Sequence, residues 1–227
     1  MKILIVAATP FELAPLLACF NDAGNESLAG LSFRLNESTL DVLISGVGIH
    51  ATSFALGSQL AQYKYDLAIN LGIAGGFDQS RPLGESVLVS ADRFADLGAQ
   101  DGAAFLDLFD LHLAEADSFP YQSGWLCSEA MKSNPVLSNL RSCKGITVNT
   151  VHGEEKGIAD VVKRYTPDIE SMEGAAFFYA CKMSDTACIQ IRSVSNYVEK
   201  RNRERWDIQL ALQSLTNTGL AFIESIV

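Results

Sequence analysis

DLAINLGIAGGF, residues 66–77, reads as a buried strand running into a glycine-rich turn. An apolar run of this length, without polar alternation, suits a strand covered on both faces, as parallel strands between helical layers are. Upstream, TLDVLISG (39–46) repeats the pattern and ends in Gly46-Val47-Gly48, which opens a helix over HATSFALGSQLAQY (50–63). At the start, KILIVAA (2–8) is another such strand; Thr9 then caps a helix with Pro10 at its first position and Glu12 three residues after the cap. A polar stretch precedes a strand at LSFRLNE (31–37). Downstream come a strand entering a loop (ESVLVSADRFAD, 85–96), an irregular segment with short helical pieces (98–145), and a strand and turn (KGITVNTVHG, 144–153). A short strand and helix (DIESMEGAAFFYACKMS, 168–184), a strand (TACIQIRSVSN, 186–196) and a closing helix complete the chain.

Strands alternating with helices, with glycines at strand ends, predict an α/β fold around a largely parallel central sheet. No repeat or linker-like tract interrupts the 227 residues, so one domain over 1–227 is expected. Ligands of such folds sit outside the carboxyl ends of the strands. That rule selects Thr9–Glu12, Gly46–His50, Gly72–Phe77, Asn149–Gly153, Glu170–Glu173 and Arg192–Asn196, six segments expected to converge on one edge.

Composition narrows the function. Seventeen Lys and Arg against 27 Asp and Glu give a formal charge of −10, a field that repels phosphate backbones, so no nucleic-acid partner is expected. Five scattered cysteines form no CxxC and no metal-ligand spacing, as expected of reduced thiols in a cytoplasmic protein. The short N-terminal apolar run is no signal peptide, and a membrane span needs about 20 apolar residues, so neither export nor a membrane is expected. Gly46-Val47-Gly48-Ile49-His50-Ala51 matches a dinucleotide fingerprint, which would make the chain an oxidoreductase. However, it does not follow the first strand, and the acid about 20 positions on, Asp66, stands before the next strand rather than at its end.

Two runs carry the chemistry. ESMEG (170–174) sets two carboxylates at a strand-to-helix junction, and the apolar helix that follows shields Glu173. A shielded carboxylate needs donors, and a pair of vicinal ribose hydroxyls supplies two; a helix-dipole role serves Glu173 equally well in isolation. RSVSN (192–196) offers directional polar groups at a strand end or, by itself, an ordinary polar loop.

Together, KILIVAATPFE, GVG, GIAGG, ESMEG and RSVSN resemble the purine and uridine phosphorylase superfamily over nearly the whole chain, and more closely its nucleosidase branch. That resemblance implies a three-layer phosphorylase-type α/β sandwich, with a central mostly parallel mixed β-sheet flanked by helices. It implies an N-glycosyl hydrolase with no metal or organic cofactor, a small-molecule nucleoside substrate, and assembly as a homodimer or higher homo-oligomer. It assigns Glu12 to activating water, Glu173 (with Met172) to the ribose hydroxyls, and Asn196 to the base, with Gly75, Val151, Arg192 and Ser195 also at the substrate. The capping-box role of Glu12 is compatible with this until substrate binds.

The last of these positions shifts the expected base. Adenine-cleaving members carry Asp there, an acid that protonates N7 of the leaving base. Asn196 cannot donate a proton outright but can hydrogen-bond N7 and an exocyclic O6. This suits a 6-oxopurine, hypoxanthine, and within the branch the 6-oxopurine substrate is futalosine, of the alternative menaquinone pathway. An apolar Ile73, and no arginine near GVG or the first loop, favour water over phosphate as nucleophile. Lys200, Arg201, Arg203 and Arg205 are candidates to meet futalosine's carboxybenzoyl group, or form a solvated basic face. His50 and His152 stand near strand ends without an assigned role. A methylthioadenosine/S-adenosylhomocysteine-type nucleosidase and a non-catalytic purine-nucleoside-binding protein are the alternatives.

Overall fold

The computed structural model describes residues 1–20, 25–27, 30–128 and 133–227; the rest of the polar stretch before the third strand, and 129–132 of the irregular segment, lie outside the described residues. In chain order the elements are β1 (Lys2–Ala7), α1 (Pro10–Leu17), β2 (Asn25–Ser27), β3 (Gly30–Leu35), β4 (Ser38–Ile44), α2 (Ile49–Gln62), β5 (Leu67–Gly76), β6 (Ser86–Phe94), β7 (Gly98–Asp101) and β8 (Ala104–Asp107). They continue with β9 (Leu126–Cys127), α3 (Pro135–Ser138), β10 (Arg141–Thr147), α4 (Glu155–Tyr165), β11 (Ile169–Ser171), α5 (Gly174–Met183), β12 (Cys188–Tyr197), a 3-10 turn (Arg203–Arg205) and α6 (Ile208–Glu224).

The period of two along β1 sorts the core. Ile3, Ile5 and Ala7 join Leu13, Leu16, Leu215 and Phe222 on the face covered by α1 and α6. Leu4 and Val6 join Leu56, Leu60, Phe177 and Phe178 on the face covered by α2 and α5. The apolar run of β1 thus reflects burial on both faces, as its composition predicts.

Among the described residues, ten strands form one sheet, ordered β11-β10-β6-β12-β5-β1-β4-β3-β2, with β9 on β6; β7 and β8 pair as a separate hairpin. The expected sandwich with a mostly parallel central sheet needs two corrections. Antiparallel pairings (β11–β5, β12–β6, β2–β3, β3–β4 and β6–β9) are as numerous as parallel ones. In addition, β11 bonds both β10 and β5, which closes β11, β10, β6, β12 and β5 into a ring. Sheet twist brings distant strands together, and the three-residue β11 bridges the gap. A buried ring strand and a buried parallel strand carry the same apolar pattern, so the sequence does not separate them. The GIAGG segment is also not a turn: β5 continues through Gly76, because it has partners on both sides to its end.

These corrections place the site. At the end of β5, Gly75 pairs with Glu170 on β11 and Asn196 on β12. The β12 register slips between Val194 and Asn196, so Ser195 is an extra residue, a bulge that re-aims the side chains at the strand's end.

Candidate active site

A cavity of about 350 Å³ opens at this edge. All six segments selected by the strand-end rule reach it, through Thr9, Phe11 and Glu12, Val47, Ile73 to Gly75, Val151, Glu170 to Glu173, and Ser195 and Asn196. A second compartment of about 160 Å³ adjoins it, sharing Gly75, Val151, Glu170, Asn196, Arg201 and Trp206 and adding His152. Asn196 and Glu170 therefore both line the boundary between a chamber containing Glu12 and Glu173 and a smaller one containing His152.

Glu12 is held by the start of α1. Its Oε2 accepts from the Thr9 backbone N–H at 3.0 Å and the Thr9 hydroxyl at 3.1 Å, while Oε1 accepts from the Ile73 N–H at 3.2 Å. The cap and the strand end together fix a buried carboxylate that still lines the cavity. Glu173, at the cap of α5, accepts from the Gly48 N–H at 3.0 Å. Gly48 has φ +92°, which only glycine adopts without strain, and this turns its amide to the carboxylate. In a dinucleotide fold that amide would face phosphate; here Glu173 takes it. Burial pushes the Glu173 carboxyl above its ordinary range against the opposing pull of Arg192 and the Gly48 amide; Glu12 adds to the upward push.

Arg192 is brought to the site but does not line the cavity. It is 1% exposed, with Nε donating to Gln190 Oε1 at 3.0 Å and Nη1 lying 3.8 Å from Glu173 Oε2. Its guanidinium crosses the Cα of Gly72, where a Cβ would lie 2.1 Å from Nη1 and 2.9 Å from Glu12 Oε1. Gly72 is thus a gap that lets Arg192 approach Glu173. Among the described residues, Arg192 Nη2 has no hydrogen-bond partner.

At the base end, Asn196 Oδ1 accepts from the Ser195 hydroxyl at 2.9 Å, and Nδ2 donates to the Tyr197 carbonyl at 3.0 Å. This orientation leaves the second amide N–H for a ligand. Gly75 makes room for it, since a Cβ there would lie 3.3 Å from Nδ2 and 2.9 Å from Val198. Met172 is half-buried and Val151 exposed at the cavity wall. Of the four basic candidates after Asn196, Arg201 lines both compartments and stacks on Trp206, at 5.1 Å from the ring centroid, whereas Arg205 is bonded to Glu199. His50 is exposed and lines neither compartment, and His152 lines the smaller one.

The profile of the Phosphorylase superfamily matches residues 2–227. The chain belongs to the phosphorylase superfamily. Superfamily relatives include the futalosine hydrolase of Acidothermus cellulolyticus, 31% identical over 97% of this chain and 90% of that protein. The 5'-methylthioadenosine/S-adenosylhomocysteine nucleosidase of Colwellia psychrerythraea is 28% identical over 97% of this chain and 93% of that one. The superfamily fold is likewise that of the solved futalosine hydrolase of Helicobacter pylori, at TM-score 0.80 and 17% identity over 99% of this chain and 96% of that one.

Sequence reasoning left two parts of the site unread. Glu170 was visible as the first carboxylate of ESMEG, but nothing in one sequence reveals that His152 lies against it. A polar Gln190 within the apolar run CIQI was the available signal for a buried network. Its Nε2 donates to Asp92 Oδ2 at 3.1 Å, and Thr147 donates to Asp92 Oδ1 at 2.8 Å. Burial raises the Asp92 pKa to about 6, although these donors oppose the shift.

Proposed function

We propose that the chain is a futalosine hydrolase, which cleaves the N-glycosidic bond of futalosine with water to give hypoxanthine and dehypoxanthinyl futalosine. The observation that carries this reading is the amide of Asn196 between the two compartments, where adenine nucleosidases resembled by this sequence carry an acid. The curated relatives named futalosine hydrolase, at about this chain's full length, support it.

In this reading the ribose lies in the larger chamber. Glu173 accepts from its vicinal hydroxyls, and Glu12 orients water and takes its proton as the C1'–N9 bond breaks. Arg192, packed behind Gly72 with Nη1 3.8 Å from Glu173, supports that carboxylate from outside the cavity. Positive charge develops on the sugar near the two carboxylates, and negative charge on the base beside the Asn196 N–H, so the site complements both ends of the transition state. Hypoxanthine bears that charge better than adenine and leaves without full N7 protonation. Arg201, over Trp206, is the cation that would meet the carboxybenzoyl carboxylate.

The reading as one catalytic unit over 1–227, working as a homodimer or larger, belongs to the same proposal. Phe11 and Val47 line the cavity yet are 61% and 49% exposed, an apolar rim suited to a second copy. No helix among the described residues is long and apolar enough to cross a membrane.

The test is an incubation with futalosine, inosine, methylthioadenosine and aminodeoxyfutalosine, with and without phosphate. Hypoxanthine from futalosine, independent of phosphate, supports the proposal. Adenine from methylthioadenosine at a comparable rate contradicts the role of Asn196, and binding without release contradicts catalysis.

A further inference from the structure

The smaller compartment ends on a carboxylate that the water and ribose chemistry does not use. Glu170 is 4% exposed, yet it lines both compartments. One of its oxygens accepts from the His152 backbone N–H at 2.9 Å, and the other contacts the His152 ring at Nδ1. Backbone and ring of one residue thus clamp both oxygens and fix the plane of the carboxylate. An ionised carboxylate has about four acceptor positions, so two remain for a ligand after the clamp is satisfied. The clamp is built by the fold: β11 pairs Glu170 with Gly75, whose other partner is Asn196. The edge of the sheet therefore presents an N–H donor and a carboxylate acceptor on the two sides of one side-chain-free residue.

The geometry points to Glu170 as the residue that selects a 6-oxopurine by accepting its N1–H, with His152 as the positioning residue that holds the carboxylate for it. This rests on the proposed reading of the chain as a hydrolase of a 6-oxopurine nucleoside, and it deepens that reading. Along one edge, hypoxanthine shows an acceptor at N7, an acceptor at O6 and a donor at N1. The Asn196 N–H meets the first two, and Glu170 meets the third. Adenine reverses the last two positions. It would set an amino group against the Asn196 N–H and the N1 lone pair against a buried carboxylate, leaving polar groups unpaired, which costs more than a missing contact. Discrimination is then divided between two residues: Asn196 declines to protonate N7, and Glu170 declines the adenine edge. The hydrogen bond to Glu170 raises the His152 pKa above its usual value, against the opposing effect of burial.

Binding of free bases isolates this step from turnover. Dissociation constants for hypoxanthine, 1-methylhypoxanthine and adenine are measured on the unaltered protein, Glu170→Ala and Glu170→Gln. The unaltered protein is expected to prefer hypoxanthine over both other bases by about 10- to 100-fold, the range for a hydrogen bond to a charged group. Glu170→Ala should bring hypoxanthine and 1-methylhypoxanthine within about threefold, mainly by weakening hypoxanthine. The isosteric Glu170→Gln keeps the test available if the alanine variant does not fold, and should also narrow the preference. His152→Ala, which retains the backbone N–H on one oxygen, should narrow it partway; a merely structural role would weaken all three bases equally. A preference for hypoxanthine that survives both Glu170 substitutions overturns the inference. Failure of the unaltered protein to release hypoxanthine from futalosine would instead overturn the function on which it rests, and the two failures are read in separate experiments.

Discussion

At Glu12 one carboxylate carries two duties that a substitution can separate. Glutamine in its place has one acceptor oxygen, which can serve Thr9 or Ile73 but not both, and it cannot take a proton. Glu12→Gln is therefore expected to lower kcat by about 100-fold or more with a smaller change in KM and a modest fall in melting temperature from the lost acceptor, as read by steady-state kinetics and thermal unfolding. Glu173 has a different signature because its partner is in the ground state as well. Glu173→Gln should raise KM for the nucleoside and lower kcat together. The pH profile carries a sign of its own. Glu173 must be ionised to accept two hydroxyls, and burial raises its pKa. The acid limb of kcat/KM should accordingly fall at a pH above the ordinary carboxylate range, and an acid limb within that range would contradict the shielding. At the base, Asn196→Asp is expected to raise release of adenine from methylthioadenosine relative to hypoxanthine from futalosine, measured as a ratio of kcat/KM values.

At the scale of the element, the two strands β5 and β12 make the site by what they omit and what they add. β5 omits side chains at Gly72 and Gly75, and β12 adds Ser195 as a bulge. Gly72→Ala would place a methyl group on the Arg192 guanidinium, with backbone on one side and a fully buried side chain on the other. Overpacking of this kind costs about 1–3 kcal/mol, and displacement of Arg192 removes its support from Glu173. A lowered melting temperature together with loss of turnover is expected, and an alanine variant with unchanged kinetics would contradict the crossing of Arg192 over Gly72. Much at this scale was legible in the sequence: the cap-Pro-Glu start of α1, the buried strands, and the six strand ends that meet at the cavity. GIAGG was misread as a turn because glycines usually mark one; here they clear space within a paired strand. The bulge left no trace, since a one-residue slip of register depends on partners that are distant in sequence.

At the scale of the molecule, the same limit explains the sheet. Apolar runs report burial and not strand direction, so the closure of five strands into a ring emerges only from the pairing of β11 with both β10 and β5. Inside that ring lies Asp92, with a pKa of about 6 against an ordinary 3.8. The folded state binds its proton more tightly than the unfolded chain does. Its contribution to stability is thus fully present below about pH 4 and is lost as pH rises through 6. Asp92→Asn removes this titration, so the melting temperature of the variant relative to the unaltered protein should climb between pH 4 and pH 7. A difference that stays flat would contradict the burial of an ionisable Asp92. The network from Asp92 through Gln190 to Arg192 joins this interior to Glu173, which is how one edge of the ring holds an acid and an arginine in fixed relation.

Hydrolytic release of hypoxanthine is read by turning over futalosine in phosphate-free water enriched in oxygen-18. Free hypoxanthine without label is expected, with one labelled oxygen at C1' of the sugar product. Adenine nucleosides cleaved in preference to futalosine, or hypoxanthine released only when phosphate is added, would contradict it.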